Sequence, residues 1–280
     1  MEDTNMQNLL EQKQWRFIDQ SQSFLEESPL QSFAMDDSLC HAVGHDLSES
    51  VIRTWVHKES VVLGIQDHRL PSIVEASNYL MNQGYVPIVR NSGGLAVVLD
   101  PGVLNVSLVF KDEHKVNIDT AYHFMVELMK LLLPEIAEKI EAYEIVGSYC
   151  PGTFDLSVGG KKFAGISQRR MQKGIAVQIY LCIEGSGSER AQLIQQFYEI
   201  GLKGGEPKYK YPSVTPDVMA SLQQLTGNKN LTTVALNERL KDVITQIATD
   251  VRYESLTGEE LSLYEQYTER IIKRNASLLK

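Results

Sequence analysis

Short apolar runs alternate with longer segments of helical spacing through most of the chain. The apolar runs predict strands, because consecutive or alternating apolar residues suit the faces of a sheet. They are VIRTWVH (51–57), SVVLGI (60–65), VPIVR (86–90), LAVVL (95–99), LNVSLVF (104–110) and IAVQIYLCIEG (175–185). VPIVR, LAVVL and LNVSLVF follow one another as three short strands, and such a run of strands in a chain that also contains helices predicts an α+β fold.

The predicted helices are marked by apolar residues three or four positions apart and by residues that begin or end helices. In SFAMDDSLCHAV (32–43) the apolar positions are Phe33, Met35, Leu39 and Val43. Further helices are predicted over 71–84, 117–133 with Asp119 as N-cap, 188–202, 234–251 and 261–274. Residues 214–280 are therefore predicted to be mostly helical.

The two ends of the chain differ from the middle in composition. Residues 1–30 are rich in Gln and Glu and are interpreted as an N-terminal arm, mobile or folded as a peripheral helix. Residues 31–250 form the predicted catalytic domain, and 251–280 a C-terminal helix packed on the same domain. The start of the chain has no apolar stretch like that of a signal peptide, and no run of about 18 apolar residues occurs. These features predict a cytoplasmic protein without a membrane partner.

Charge and cysteine content narrow the functional classes. The net charge of −9 argues against general nucleic-acid binding, which needs a basic surface. The three cysteines are widely spaced and contain no Cys-x-x-Cys pair, so no zinc site is expected and a reducing compartment fits. Among the histidines only His41 and His45 have helical ligand spacing, and we interpret this pair as part of a helix surface. No metal site is predicted.

The segment VGSYCPGTFDLSVGGKKFAGISQRR (146–170) carries the candidate chemistry. Cys150 precedes Pro151 and Gly152, which place it on an accessible turn. A strand over 154–158, a Gly-Gly turn and a return strand over 162–167 then bring Lys162 toward Cys150. The residues alone allow two interpretations: a nucleophile with its proton-transfer partner, or a buried thiol beside a surface lysine. For Cys40 on a helix and Cys182 on a strand, a buried inert thiol is expected.

A second candidate is the glycine-rich stretch VRNSGGLAVVLDPGVLNVSLVF (89–110). By itself, the Ser-Gly-Gly segment fits either a hairpin turn or a ligand-binding loop, where glycine permits close approach to the backbone. A P-loop is excluded, because no Gly-Lys-Ser/Thr follows.

This stretch resembles the catalytic domain of the biotin/lipoate protein ligases, whose pattern is Arg-x-Ser/Thr-Gly-Gly-Gly-Ala-Val-x-His-Asp-x-Gly-x-Leu-Asn. The matching residues are Arg90, Ser92, Gly93, Gly94, Ala96, Val97, Asp100, Gly102, Leu104 and Asn105. AMDDSL, RTWVHKESVVLGIQD and DLSVGGKKFAGISQRR extend the resemblance over roughly 33–250. It implies a mixed β-sheet flanked by helices, with a helical C-terminal portion.

The chain departs from the ligase pattern at three positions. Leu95 replaces the third glycine, Leu99 replaces the histidine, and Phe154 stands where ligases usually have asparagine before Asp155. The changes at Leu95 and Leu99 argue against adenylate handling. They leave the expected fold unchanged.

Around Cys150 the chain is similar to the branch of the family that moves octanoyl groups between lipoyl-bearing proteins. The resemblance implies octanoylated glycine cleavage H protein as donor, lipoyl domains of 2-oxoacid dehydrogenase E2 subunits as acceptors, and no cofactor. It implies Cys150 as the nucleophile that forms a thioester and Lys162 as the family's lysine. The implied substrate-binding residues are Arg90, Ser92, Gly93, Gly94 and Gly165.

Three other functions stay open. They are transfer from octanoyl-acyl carrier protein, ATP-dependent lipoate ligation, and non-catalytic binding of a lipoyl domain. The run KKFAGISQRRMQK bears on partners, since it contains five cations and no acid. Such a run forms either a solvated face or a docking site for an acidic carrier domain.

Overall fold

The computed structural model describes residues 14–112 and 116–278, which form two mixed sheets with flanking helices. The strands are β1 Gln14–Gln20, β2 Val51–Trp55, β3 Ser60–Leu63, β4 Val86–Val89, β5 Val97–Leu99, β6 Val103–Lys111, β7 Glu141–Ala142, β8 Leu156–Val158, β9 Lys161–Met171, β10 Gly174–Cys182 and β11 Asp250–Tyr253. The α-helices are α1 Pro29–Gly44, α2 Ile73–Asn82, α3 Ile118–Leu132, α4 Gly187–Gly201, α5 Leu222–Thr226, α6 Thr233–Ile247 and α7 Glu259–Leu278.

The larger sheet has eight strands in the order β11-β1-β2-β6-β10-β9-β8-β7. Strand β1 lies parallel to both β11 and β2, and the pairs from β2 to β7 are antiparallel. The smaller sheet has the order β4-β3-β5, with β3 parallel to β4 and antiparallel to β5.

Both faces of the larger sheet are buried, because apolar residues occupy consecutive positions of its central strands. Phe17 and Ile52 point to one face, where they meet apolar residues of α3 and α6. Their chain neighbours Ile18 and Val51 point to the other face, against α1. Helix α7 covers α1, and its Tyr264 hydroxyl donates to Gln31 at 3.0 Å. A separate core joins the smaller sheet to α2 and α4.

The predicted strands and helices are present, with shifted ends. The first helix begins at Pro29, after the N-cap Ser28. The third helix is capped by Asn117, whose Oδ1 accepts from the Thr120 N–H at 2.7 Å, so the prediction of Asp119 as N-cap was wrong. Asn117 has the extended backbone that an N-cap needs, whereas Asp119 lies inside the first turn.

The interpretation of 1–30 as an arm or peripheral helix is wrong for its second half. Residues 14–20 form β1, and Arg16 there makes a buried ion pair with Glu260 at 2.7 Å. Residues 1–13 lie outside the described residues. The predicted boundary at 250 falls on β11, a strand of the larger sheet, so residues 250–253 are not part of the C-terminal helix.

In the described parts of the chain, no helix is both long enough and apolar enough to cross a membrane.

Candidate active site

A cavity of about 280 Å³ is lined by residues of both sheets and by two loops. It brings together five of the seven residues that the sequence singled out: Cys150, Arg90, Gly93, Gly94 and Gly165. Lys162 lies behind the cavity wall, and Ser92 is buried without lining it. The Ser92 hydroxyl has no hydrogen-bond partner in the described structure.

Cys150 sits on a strained turn at the wall of this cavity. Its φ of 45° lies in the left-handed region, which is unusual for a residue other than glycine. The side chain is half-buried, in contrast to the fully buried Cys40 and Cys182. The predicted accessible turn is therefore present, and strain of this kind commonly accompanies a functional site.

A β-bulge turns the side chain of Lys162 toward the cavity. Lys162 pairs with Ser157, whereas Ala164, two positions later, pairs with Leu156. Directly paired residues point to the same face and chain neighbours to opposite faces, so Lys162 and Ala164 lie on opposite faces. Ala164 and Leu156 belong to the core beside α3, which leaves Lys162 on the side of Tyr180, with its Nζ 5.9 Å from that ring centroid.

The Lys162 ammonium group is fully buried and forms hydrogen bonds with the backbone of the turn that carries Cys150. It forms an ion pair with Asp155 at 2.9 Å and donates to the carbonyl oxygens of Tyr149 at 3.1 Å and Cys150 at 2.9 Å. Burial raises the pKa of Asp155, and the ammonium group opposes that rise. Lys162 therefore contacts the backbone of Cys150 rather than its thiol, and it is not the solvated strand lysine that its sequence alone suggests.

The thiol receives its hydrogen bonds from the glycine-rich loop. The Leu95 N–H donates to the Cys150 Sγ at 3.2 Å, and the Arg90 Nη2 approaches the same sulfur at 3.4 Å. Arg90 also donates to the Leu95 carbonyl oxygen at 2.6 Å, which holds the loop and the guanidinium together. A backbone N–H and a guanidinium group therefore both contact the sulfur.

The Ser-Gly-Gly segment is not a hairpin turn. It connects β4 to β5, which lie on opposite sides of β3 and do not pair with each other. Gly94 has a φ of 101°, and a Cβ there would lie 2.1 Å from the Arg90 Nη2 and 3.1 Å from the Cys150 Sγ. Gly94 must therefore be glycine for Arg90 to lie beside the thiol, and the close approach of this loop to the thiol favours the ligand-binding interpretation.

A buried polar chain supports this loop from the other side. The Ala96 N–H donates to the Tyr198 hydroxyl at 3.3 Å, and that hydroxyl donates to Asp67 at 2.9 Å. Asp67 also accepts from the Gly64 N–H at 2.7 Å. Burial raises the pKa of Asp67 to about 6. Neither Tyr198 nor Asp67 carried a sequence signal, because helix α4 and the turn after β3 meet only in the folded chain.

Most of the cavity wall is apolar. Phe33, Trp55, Val62, Val97 and Leu99 contribute to it, so the leucine that replaces the ligase histidine extends the apolar surface. Each methylene of a bound alkyl chain would gain about 0.8 kcal/mol on leaving water. The wall therefore suits an acyl chain attached near the Cys150 sulfur.

Gly165 makes room for the Tyr180 ring beside Cys150. A Cβ at Gly165 would lie 2.7 Å from a ring carbon of Tyr180, and Tyr149 stacks on the same ring with centroids 6.1 Å apart. Gly165, which the resemblance implies as a substrate-binding residue, therefore lines the cavity and leaves space for the Tyr180 ring.

One end of the cavity wall is polar and is connected by hydrogen bonds to a buried ion pair. Ser167 donates to Gln178 at 3.3 Å, and Gln178 donates in turn to Asp36. Asp36 pairs with Arg53 at 2.8 Å, and both side chains are buried. These residues were not predicted as site residues, although an Asp-Asp pair within a buried helix was a visible signal.

The cationic run does not form one solvated face. Lys162 is buried, Arg169 pairs with Asp37 at 2.8 Å, and Arg170 donates to the Val116 carbonyl oxygen at 2.8 Å. Alternation along β9 sends Arg169 and Arg170 to opposite faces. Lys161 and Lys173 remain exposed.

Comparisons with known proteins identify the family of this chain. Residues 28–245 match the model of the lipoyl protein ligase A/B catalytic domain. Octanoyl-GcvH:protein N-octanoyltransferase of Lysinibacillus sphaericus is 55% identical over 276 residues, which are 98% of this chain and 99% of the relative. Lipoyl-GcvH:protein N-lipoyltransferase of Listeria monocytogenes is 49% identical over 280 residues, which are 98% of this chain and 99% of that relative.

Solved structures share the fold at low sequence identity. A lipoate-protein ligase A bound with ATP superposes with a TM-score of 0.67 at 17% identity, covering 92% of this chain and 95% of the ligase. An archaeal bipartite lipoate protein ligase from Thermoplasma acidophilum gives a TM-score of 0.64 at 17% identity, covering 95% of this chain and 98% of that one.

Proposed function

Because this chain belongs to the lipoyl protein ligase A/B catalytic-domain family, we propose that it is an acyltransferase that moves octanoyl groups in protein lipoylation. The donor is octanoylated GcvH, the glycine cleavage H protein, which the names of relatives at about half identity indicate. The acceptor is a lysine of the lipoyl domains of 2-oxoacid dehydrogenase E2 subunits. The observation that carries the proposal is the half-buried Cys150 sulfur, bonded by Leu95 and Arg90 at the wall of an apolar cavity.

In the first step the Cys150 thiolate attacks the carbonyl carbon of the octanoyl-lysine amide. A C–S bond forms, the C–N bond breaks, and the donor lysine leaves as a neutral amine after taking up the proton that the Cys150 thiol released on ionising. The carbonyl oxygen becomes negative beside the sulfur. The Leu95 N–H and the Arg90 guanidinium, which already contact the sulfur, can donate to that oxygen.

In the second step the thioester passes the acyl group to the acceptor. The neutral acceptor amine attacks the thioester carbonyl carbon, a C–N bond forms and the C–S bond breaks. The proton that the amine loses returns to the Cys150 thiolate. The alkyl chain stays against Phe33, Trp55, Val97 and Leu99 while the carriers exchange. Substrate and product are both amides, so the exchange needs no external energy.

Lys162 supports both steps by fixing the turn that carries Cys150. Its ammonium group bonds the carbonyl oxygens of Tyr149 and Cys150, which keeps Cys150 in its left-handed conformation. Asp155 orients the ammonium group through their ion pair.

ATP-dependent ligation fits this chain less well. Leu99 contributes apolar surface where the ligase pattern has histidine, and Leu95 adds a side chain in the glycine-rich loop. Both backbone groups of Leu95 are already engaged, the N–H with Cys150 and the carbonyl with Arg90. These features support direct transfer from an existing amide.

A reconstituted transfer assay tests the proposal. Purified protein is incubated with octanoylated GcvH and an unmodified lipoyl domain, without ATP or magnesium, and the lipoyl domain is weighed intact. We expect octanoylated lipoyl domain from this mixture and no product from free octanoate with ATP. Parallel mixtures contain lipoylated GcvH or octanoyl-acyl carrier protein as donor. Strict dependence on ATP, or transfer from the acyl carrier protein alone, contradicts the proposal.

A further inference from the structure

The N–H that contacts the Cys150 sulfur belongs to the peptide group between Gly94 and Leu95. The carbonyl oxygen and the N–H of a trans peptide group point in opposite directions. The oxygen of this group, on Gly94, packs against Gly64, where a Cβ would lie 1.9 Å from it. The position of Gly64 therefore restricts the direction in which the Leu95 N–H points.

The Asp67 carboxylate is connected to the loop on both sides of this peptide group. Its Oδ2 accepts from the Gly64 N–H at 2.7 Å, and its Oδ1 accepts from the Tyr198 hydroxyl at 2.9 Å. That hydroxyl in turn accepts from the Ala96 N–H at 3.3 Å. One fully buried carboxylate thus fixes both the glycine that packs against Gly94 and the hydroxyl that holds Ala96.

The ionised form of Asp67 is the form that suits these contacts. The Gly64 N–H and the Tyr198 hydroxyl both donate to it, and an ionised carboxylate is purely an acceptor. A protonated carboxyl group presents a hydrogen atom to one of the two donors, so one of the two bonds is lost. The arrangement of the loop therefore depends on the charge of Asp67.

Groups from three other segments act on this carboxylate. Burial raises the pKa of Asp67 to about 6, although its two hydrogen bonds and the Arg90 guanidinium oppose the rise. Burial also raises the pKa of Tyr198 well above its ordinary value and the pKa of Tyr211 to about 12, so both hydroxyls stay protonated near neutral pH. Burial lowers the pKa of His68, the next residue in the chain.

We propose that the Asp67 carboxylate is a positioning residue that orients the Leu95 N–H, through Gly64 and Tyr198, for acyl transfer at Cys150. This inference rests on the proposed function. A donor that is turned away from the reacting atoms stabilises the transition state less, while binding of the acyl chain by the apolar wall is unchanged. Loss of the Asp67 charge therefore slows the reaction and leaves the affinity for the acyl group the same.

The test compares Asp67→Asn, which resembles the protonated acid in shape and charge, with Asp217→Asn at an exposed position outside the acyl cavity. The acyl donor is p-nitrophenyl octanoate, which needs no carrier, and the acylation rate of Cys150 is measured from about pH 5 to about pH 8. Ionisation of the thiol and of His68 occurs in every variant, so it cancels in the ratio of wild-type to variant rates.

We expect the ratio for Asp67→Asn to be about ten at high pH and to approach one at low pH, with its midpoint near pH 6. The sign follows because the wild type also carries a neutral group at position 67 once Asp67 is protonated. The ratio for Asp217→Asn should stay below two throughout. A ratio for Asp67→Asn that does not change with pH overturns the proposal, since a merely structural defect has no such dependence.

Tyr198→Phe is a second variant that interrupts the same path. It should slow acylation about threefold to tenfold in the wild-type background and less than twofold in the Asp67→Asn background, because the path is already broken there. Effects that multiply in the double variant contradict the proposal. Thermal unfolding verifies that each variant folds.

The carrier reaction separates failure of this inference from failure of the proposed function. With octanoylated GcvH as donor, we expect Asp67→Asn to lower kcat about tenfold with KM within twofold of the wild type. If the wild type accepts octanoyl from the ester and not from GcvH, the proposed donor is wrong, and the pH dependence of the ratio still decides the role of Asp67. Wild-type Cys150 that takes up octanoyl from neither donor overturns both proposals.

Discussion

Two cysteines of this chain, Cys150 and Cys182, each have an arginine at the sulfur, yet their surroundings are opposite. The Arg90 Nη2 lies 3.4 Å from the Cys150 Sγ, and the Arg190 Nη1 lies 2.9 Å from the Cys182 Sγ. Cys150 is half-buried on a turn, whereas Cys182 is fully buried at the end of a central strand. Proximity to a guanidinium is therefore common to both.

The difference lies in what else each arginine binds. Arg190 donates twice to the Asp100 carboxylate, at 2.6 Å each, so the carboxylate balances the positive charge of this arginine. Burial raises the pKa of Cys182 to about 11. Arg90 donates instead to the Leu95 carbonyl oxygen, whose residue also supplies a second donor to the Cys150 sulfur. Cys150 thus differs from Cys182 in its exposure and in the backbone donor at its sulfur, whereas an adjacent arginine is common to both.

Removing the Cys150 sulfur is expected to have the largest effect. Cys150→Ala and Cys150→Ser should abolish octanoyl transfer, because the first has no nucleophile and an alcohol without a dedicated base is far weaker than a thiolate. The lipoyl-domain product is measured by intact mass, and thermal unfolding verifies that the variants fold. Full activity in either variant would exclude the thioester mechanism.

Lys162→Ala should lower the rate of transfer by about a hundredfold or more. The substitution removes the ammonium group that fixes the Cys150 turn, and it leaves Asp155 buried without its partner. Lys161→Ala is the matched control, because Lys161 is the exposed neighbour on the same strand. The initial rates of transfer by the two variants are compared with that of the wild type. A loss below threefold for Lys162→Ala would show that the lysine is incidental.

Arg90→Gln tests the arginine at the nucleophile directly. We expect iodoacetamide labelling of Cys150 at neutral pH to slow about tenfold, because the thiolate loses a positive neighbour. Labelling is followed by mass spectrometry of the peptide that contains Cys150. An unchanged labelling rate would mean that Arg90 does not activate this thiol.

A smaller effect is expected from Tyr198→Phe, which removes the acceptor of the Ala96 N–H without changing the shape of the side chain. An unpaired buried N–H costs about 1–3 kcal/mol, and part of this cost should appear as a less ordered Leu95 donor. We expect kcat to fall about threefold to tenfold with an unchanged KM. Tyr211→Phe is the control, because that hydroxyl bonds the Gln66 carbonyl oxygen outside the loop. Equal kcat values in the two variants would contradict a role for Tyr198 in holding the loop.

Cys182→Ala should have the smallest effect on transfer. The rate should stay within twofold of the wild type, while the free energy of unfolding falls by about 1 kcal/mol because a buried sulfur is lost. Chemical denaturation and the transfer assay measure the two quantities. A large loss of transfer without loss of stability would remove the distinction between the two cysteines.

Local sequence patterns were sufficient to predict most helices and strands of the fold. The apolar runs between 51 and 110 and the helix of residues 29–44 are specified by their own spacing. Strand β1 was missed because its sequence, QWRFIDQ, contains polar residues that are buried. Arg16 is tolerated there only because Glu260, far along the chain, pairs with it. No local pattern identifies such a partner.

The candidate site was predicted in outline and not in its contacts. The predicted hairpin brought Cys150 and Lys162 to the same place, and the glycine pattern identified the loop that completes it. The burial of Lys162 depends on a bulge in the pairing of β8 with β9, and the Leu95 donor depends on how one sheet packs against the other. The Leu95–Cys150 contact joins residues 55 positions apart in the chain, which residue spacing does not encode.

If Cys150 carries the acyl group between the carriers, an octanoyl thioester must form on it. To detect this thioester, the protein is mixed with octanoylated GcvH alone, without acceptor or ATP, and the intact mass and the modified peptide are measured. We expect one octanoyl group on the peptide that contains Cys150, removable by hydroxylamine as a thioester and transferable to a lipoyl domain added later. Transfer to the lipoyl domain without any such adduct, or an adduct confined to Cys40 or Cys182, would contradict it.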